Sequence, residues 1–238
     1  MTTDLKTDSH FECRDDFIRY ATFDAQEVID KNNLIVNLCQ GKKVLDLGCI
    51  DHSFETANEL GDSWLHKRIK GVARELVGID ILSEDIGELR KAGYDIREEN
   101  VENFFLNETF ETIVAGDLIE HLSNIGLFLE SVRKHMTDDT LFIVTTPNPF
   151  SFEQMMKAVF NNKVSVNDQH TVWLNPHVCW ELFTRASLRI VGFYWVDTRF
   201  KVKVRKRYIG AWLNRLSEWV MLRKLLCRRD FAVILRKA

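Results

Sequence analysis

At 238 residues, 45% hydrophobic and 28% charged, the chain has the composition of a folded protein with a sizeable core, which excludes dominant disorder. No apolar run reaches the roughly eighteen residues of a membrane-spanning helix, and the polar stretch Met1 to Asp8 and five scattered cysteines without a C-x-x-C pair predict a cytoplasmic protein with reduced thiols. The net charge of −3 is unevenly spread: residues 199–238 hold 13 Lys or Arg against Glu218 and Asp230, so the rest of the chain is strongly acidic.

Residues 1–40 read as mainly helical and as a lid. Five short runs rich in Val, Ile or Leu follow, at 43–47, 76–81, 94–97, 112–115 and 140–145. Short apolar runs of this kind suit parallel strands buried on both faces. Their alternation with helix-length segments predicts a doubly wound sheet, with its ligand beyond the carboxyl ends of the strands. After Pro149, helices are expected at 152–160 and 176–187 around a polar loop at 161–175, then strands at 190–196 and 231–235. The whole reads as one domain, 1–238, with a ligand-binding core at 41–149, a substrate-covering region at 150–198, and a basic amphipathic segment with the last strand at 199–238.

The first strand of the core ends in Asp46-Leu47-Gly48-Cys49. A glycine there lets backbone approach a ligand, and a following helix capped by Ser53 directs free N–H groups at an anion. A dinucleotide pyrophosphate requires G-x-G-x-x-G, yet Ile50 and Ser53 stand where the later glycines belong. S-adenosylmethionine carries no phosphate, and its ammonium suits an acid such as Asp46. The second strand ends in Gly78-Ile79-Asp80, a carboxylate able to accept from two ribose hydroxyls. Asn100-Val101-Glu102 offers a polar, apolar, polar tip for an adenine, and the fourth strand runs into Gly116-Asp117.

In this order, Val44-Leu45-Asp46-Leu47-Gly48-Cys49, Gly78-Ile79-Asp80 and the run from Phe110 to Leu122 resemble the class I S-adenosylmethionine-dependent methyltransferase family, in the branch of the ubiquinone-pathway O-methyltransferases. The resemblance implies a Rossmann-like, doubly wound, mostly parallel seven-stranded sheet with an N-terminal helical lid and a basic helical insertion near the C-terminus. It implies S-adenosyl-L-methionine as cofactor, bound by Asp46, Gly48, Cys49, Asp80, Ile81, Asn100, Val101, Glu102, Gly116 and Asp117. One departure stands out: Ile50-Asp51-His52 replaces the further glycines of most relatives, so Asp51 or His52 could meet the ligand directly.

Methyl transfer from a sulfonium needs an aligned nucleophile and, for a hydroxyl, a proton acceptor. His121, in Asp117-Leu118-Ile119-Glu120-His121, is placed as the general base, with Glu120 and His170 as further catalytic candidates; the alternative is a histidine that only fixes this loop. Asp117, Glu120, His121 and His170 also make an oxygen and nitrogen donor set suited to magnesium, manganese or zinc. A similar pattern holds a cation in ubiquinone-pathway and small-RNA 2′-O-methyltransferases, although Asp117 stands where glutamate is usual there.

Within 199–229, Trp212, Leu216, Trp219 and Val220 recur near helical spacing among Arg and Lys. Such a helix can lie on an anionic membrane surface and make the protein peripheral to the membrane, or its apolar face can pack on the sheet. The acidic remainder argues against nucleic acid, and the oligomeric state is not legible. The expected function is methyl transfer to a hydroxyl of a small-molecule acceptor such as a sugar, glycan precursor or lipid-like metabolite. The alternatives are N- or C-methylation of a metabolite, and a non-catalytic methyltransferase-like binding subunit.

Overall fold

The computed structural model describes residues 11–28, 30–50, 53, 55, 59–162, 167, 169–196 and 225–238. Its strands are β1 (Gln26–Val28), β2 (Lys43–Leu47), β3 (Glu75–Asp80), β4 (Ile96–Glu98), β5 (Phe110–Gly116), β6 (Met136–Pro147), β7 (Leu188–Val196) and β8 (Asp230–Lys237). They form one sheet in the order β1-β7-β8-β6-β5-β2-β3-β4. Strand β8 runs antiparallel to β6 and β7, and every other pairing is parallel. The strand order reverses between β2 and β5, which opens the crevice where ligands bind in sheets of this kind.

Alternation along the central strands explains why this sheet is covered on both faces. Leu45, Leu47, Ile113, Ala115, Phe142 and Val144 enter one core, while Val44, Val114 and Ile143 enter the core on the other side. Each such side chain is fully or almost fully buried, and the Val, Leu, Ile and Phe among them are worth about 1.5–3 kcal/mol apiece against exposure. The helices described over their whole length include α1 (Arg14–Arg19), α2 (Lys31–Cys39), α3 (Leu65–Lys70), α4 (Ser83–Lys91), α5 (Ile125–Lys134), α6 (Phe152–Asn161) and α7 (Pro176–Arg185). Asp30 caps α2 through Asn32 N and Asn33 N, Ser151 caps α6, and Asn175 with Pro176 opens α7.

Among the described residues the sheet has eight strands where seven were expected, because the N-terminal segment, mainly helical as expected, also contributes one short strand. After α1 and a π-turn at Tyr20–Asp24, residues Gln26–Val28 join the outer edge parallel to β7, Gln26 opposite Tyr194. Three residues are too few to show a strand's alternation, and tertiary contacts hold them. Arg228, buried just before β8, reaches both carboxylate oxygens of Glu27 at 2.5 Å. The indole of Trp195 donates to Ala21 O at 2.7 Å. The remaining differences are of boundary: the third core strand starts at Ile96 rather than residue 94, β6 runs on to Met136 and Pro147, and α7 stops at Arg185. Asp51 and His52, and residues 199–224 of the basic segment, lie outside the described residues.

Candidate active site

A cavity of about 1080 Å³ opens at the carboxyl ends of β2, β3 and β5. All ten residues assigned to the cofactor from sequence line it, and so do Glu120, His121 and His170. At its floor, Gly48 sits at φ +66°, a left-handed conformation that favours glycine. A Cβ there would also lie 2.8 Å from Leu118 Cδ1. The amides of Gly48 and Cys49 both donate to Ile79 O, at 2.8 and 3.3 Å, so the first-motif turn is pinned to the neighbouring strand.

Asp46 and Asp80 are both buried, but their partners differ. Asp46 Oδ2 lies 2.8 Å from Nδ1 of His66, a buried residue of α3. Asp80 accepts from Ile50 N at Oδ2 (2.9 Å) and from Ile81 N and Leu82 N at Oδ1 (2.8 and 3.3 Å). A carboxylate has about four acceptor positions; three backbone amides leave Asp80 room for a ribose hydroxyl while fixing its orientation. Burial raises its pKa, and the three N–H groups oppose that rise. Asn100 Oδ1 accepts from Glu102 N, and the Glu102 carboxylate accepts from Ser123 N, Asn124 N and the Asn124 side chain at the start of α5. Glu102 therefore borders the cavity chiefly as the tie between the tip after β4 and α5.

Sequence reasoning missed several lining residues. Lys31, at the start of α2, forms an ion pair with Asp117 and lies 4.0 Å from Asp230. Burial works against its ammonium, but the two carboxylates outweigh that and raise its pKa. Trp64 closes another wall and donates from its indole to Cys49 O at 2.9 Å. Neither residue lies in a motif, and only the fold brings them here.

After β5 the chain turns sharply. Asp117 takes φ +49°, tolerated by aspartate, with Oδ1 accepting from Thr145 Oγ1 at 2.9 Å. A 3₁₀ turn at Ile119–His121 buries Ile119 in the core and Glu120 beside it. Glu120 Oε2 accepts from Thr146 Oγ1 at 3.0 Å, while the buried Oε1 has no partner among the described residues. Burial, with the nearby Asp117 charge, pushes the Glu120 carboxyl up to about 7. Thr171 brings the later segment in: its N–H and hydroxyl donate to Glu120 O (2.8 and 3.1 Å), and its hydroxyl also reaches Leu122 O at 2.7 Å. His170 consequently packs edge-to-face on His121, ring centroids 4.7 Å apart, and burial lowers its pKa.

Glu120, His121 and His170 each place a ligand atom within 4.8 Å of the others. A carboxylate and two imidazoles, with an unanswered carboxylate oxygen among them, fit a divalent cation. Asp117 does not join them: Lys31 and Thr145 hold its two oxygens. Behind Glu120 lies a second, smaller cavity of about 220 Å³, whose walls include Glu120, Gln154, Lys157, Trp173 and Asp230.

Among the described residues no helix is long and apolar enough to cross a membrane. The profile of the methyltransferase domain matches residues 20–191. The chain is 21% identical over 186 residues to an (S)-tetrahydroprotoberberine N-methyltransferase of Eschscholzia californica, covering 76% of this chain and 50% of that one. It is 26% identical over 138 residues to a ubiquinone biosynthesis O-methyltransferase of Nitrobacter winogradskyi, covering 56% and 48%. The chain spans about half the length of the curated relatives it matches. A crystal structure of a SAM-dependent methyltransferase from Archaeoglobus fulgidus shares the fold, with TM-score 0.57 and 15% identity over 87% of this chain and 91% of that one. With that sheet, that crevice and a family profile over most of its length, the chain belongs to the class I S-adenosylmethionine-dependent methyltransferase family.

Proposed function

We propose that the protein transfers the methyl group of S-adenosylmethionine to a hydroxyl of a small-molecule acceptor, with Glu120 and His121 as the proton-accepting pair. The observation that carries this reading is Glu120: buried, raised to about 7, and on the wall shared by the large cavity and the small one. A base poised near neutrality between cofactor and acceptor is what deprotonation of a hydroxyl at an incoming methyl requires. In this reading His121, packed against His170, passes that proton onward. Relatives that methylate nitrogen and relatives that methylate oxygen are both similar to this chain; the buried base favours oxygen, because a neutral amine needs no general base before attack.

The test is transfer of label from S-adenosylmethionine to a panel of hydroxyl and amine acceptors, with S-adenosylhomocysteine binding measured by calorimetry on the same sample. Transfer to oxygen supports the reading. Transfer only to nitrogen moves the activity to the amine class, and absence of cofactor binding leaves a non-catalytic relative.

A second reading uses the same three side chains as ligands. A divalent cation held by Glu120, His121 and His170 would polarise an acceptor hydroxyl and lower its pKa. The convergence of their ligand atoms supports it.

A further inference from the structure

The smaller cavity, about 220 Å³, is the volume of roughly seven waters at ~30 Å³ each, too small for the cofactor and right for one ring. Two residues of its walls, Glu120 and Gln154, each carry a buried acceptor oxygen, Oε1, with no partner among the described residues. Buried acceptors are almost always answered by a donor, and a molecule seated in this cavity with two donors would answer both. A cation at the histidine cluster answers Glu120 alone and leaves Gln154 unexplained.

The third wall is Trp173, 44% exposed, a flat apolar surface beside polar groups. Glu153, Lys157 and Asp230 add further polar groups around the cavity, Lys157 held to Glu153 at 2.6 Å and Asp230 near Lys31. A monosaccharide ring has this mixed character, with hydroxyl donors around its rim and aliphatic C–H groups across its face. We infer that the cavity is an acceptor subsite for a monosaccharide ring, stacked on Trp173 and read through its hydroxyls by Gln154 and Glu120. This rests on the methyl-transfer reading and deepens it: Gln154 becomes a specificity-determining residue, selecting acceptors with a donor beside the reacting one. An analogue lacking that donor leaves Gln154 Oε1 unpaired, which a site of this kind rejects.

The test uses the full isotope-labelled chain saturated with S-adenosylhomocysteine. It is titrated separately with D-glucose, D-galactose, L-rhamnose, N-acetyl-D-glucosamine, catechol and ethanolamine. The indole signal of Trp173 and the side-chain amide of Gln154 are followed by NMR, assigned with Trp173→Phe and Gln154→Leu. At least one sugar should shift both signals saturably, and catechol and ethanolamine should not. Gln154→Leu should weaken that sugar about tenfold, as loss of one buried hydrogen bond does, and Gln154→Glu, which keeps an acceptor, should not. The inference is overturned if no sugar moves either signal, if catechol or ethanolamine moves them and no sugar does, or if Gln154→Leu binds the sugar as the parent does. S-adenosylhomocysteine affinity, read on the same sample, reports separately on the methyl-transfer reading, and melting temperature confirms that each variant is folded.

Discussion

Nδ1 of His66 stands 2.8 Å from Oδ2 of Asp46, and both side chains are almost wholly buried. The acid of the first motif is thus oriented from beneath by a residue twenty positions later, on α3. Replacing His66 by leucine leaves a buried carboxylate without that partner, a loss of about 1–3 kcal/mol. We expect the melting temperature to fall by about 2–4 °C per kcal/mol and affinity for S-adenosylhomocysteine to fall with it, while His66→Gln recovers part of both. Calorimetry on the two variants checks this, and an unchanged cofactor affinity in His66→Leu would show that Asp46 needs no such support.

Glu120 should give the reaction a pH limb. Its carboxylate is the active form, so kcat/KM falls as pH drops below about 7. Glu120→Gln should abolish that limb and lower kcat by about 10²–10⁴-fold, measured in chelator so that no cation shares the titration. Stability runs the other way. A carboxyl whose folded pKa lies above its ordinary 4.5 favours the fold below pH 4.5 and loses that contribution as pH rises through 7. The melting temperature of Glu120→Gln relative to the parent should therefore climb toward alkaline pH. A flat difference from pH 4 to 8 would deny the shift.

Chelation separates the base from the cation. A metal held by Glu120, His121 and His170 makes activity fall with EDTA and return with one divalent ion. His170→Ala should weaken that ion about 10- to 100-fold or more, since one of the three ligands among the described residues is lost. Activity indifferent to EDTA removes the cation reading and leaves the base.

His135 supplies an acid-sensitive point outside the lining of the two cavities. Leu106 N donates to its Nε2 at 2.8 Å, so the proton sits on Nδ1 and is donated to Ser131 O at 2.7 Å. Burial lowers its pKa, and the neutral ring is the form that fits. The unfolded chain takes up a proton below its ordinary 6.5 before the folded one does, so stability drains away as pH falls from 6.5 toward the depressed folded value. Denaturant titrations at pH 7.5 and 5.5 should show a smaller acid loss in His135→Phe than in the parent. An equal loss in both points to other groups.

The central sheet was readable because strands covered on both faces print as short, almost uninterrupted apolar runs, as in Val44 to Leu47 and Ile113 to Ala115. The cleft was readable for a related reason: Gly48, Asp80 and Asp117 each close a strand, and strand ends converge on the crevice. What did not show was anything fixed by tertiary partners alone. Gln26–Val28 became a strand through a sheet edge and Arg228. Lys31 sits in a polar stretch and finds Asp117 only once α2 lies over β5. His170 was picked out by residue type, but the hydrogen bonds of Thr171 that set it against His121 leave no trace in spacing. Gln154 and Trp173 carry no motif, and a cavity wall is needed to notice them.

Gly78, in the middle of β3, gives the cofactor cleft an unexpected dependency. A methyl group at this position would stand 2.6 Å from Cys49 Sγ, 2.9 Å from His66 Cε1 and 3.1 Å from Ile96 Cγ1. Its absence is required by space, since the two nearest atoms belong to the first-motif turn and to the histidine that steadies Asp46. The two signature stretches on β2 and β3, each read as touching a different end of one ligand, are therefore a single interlocked unit. Neither can change volume alone: enlarging Gly78 asks for a smaller residue at position 49 and for His66 to give way as well. Variation in this cleft must come in matched sets.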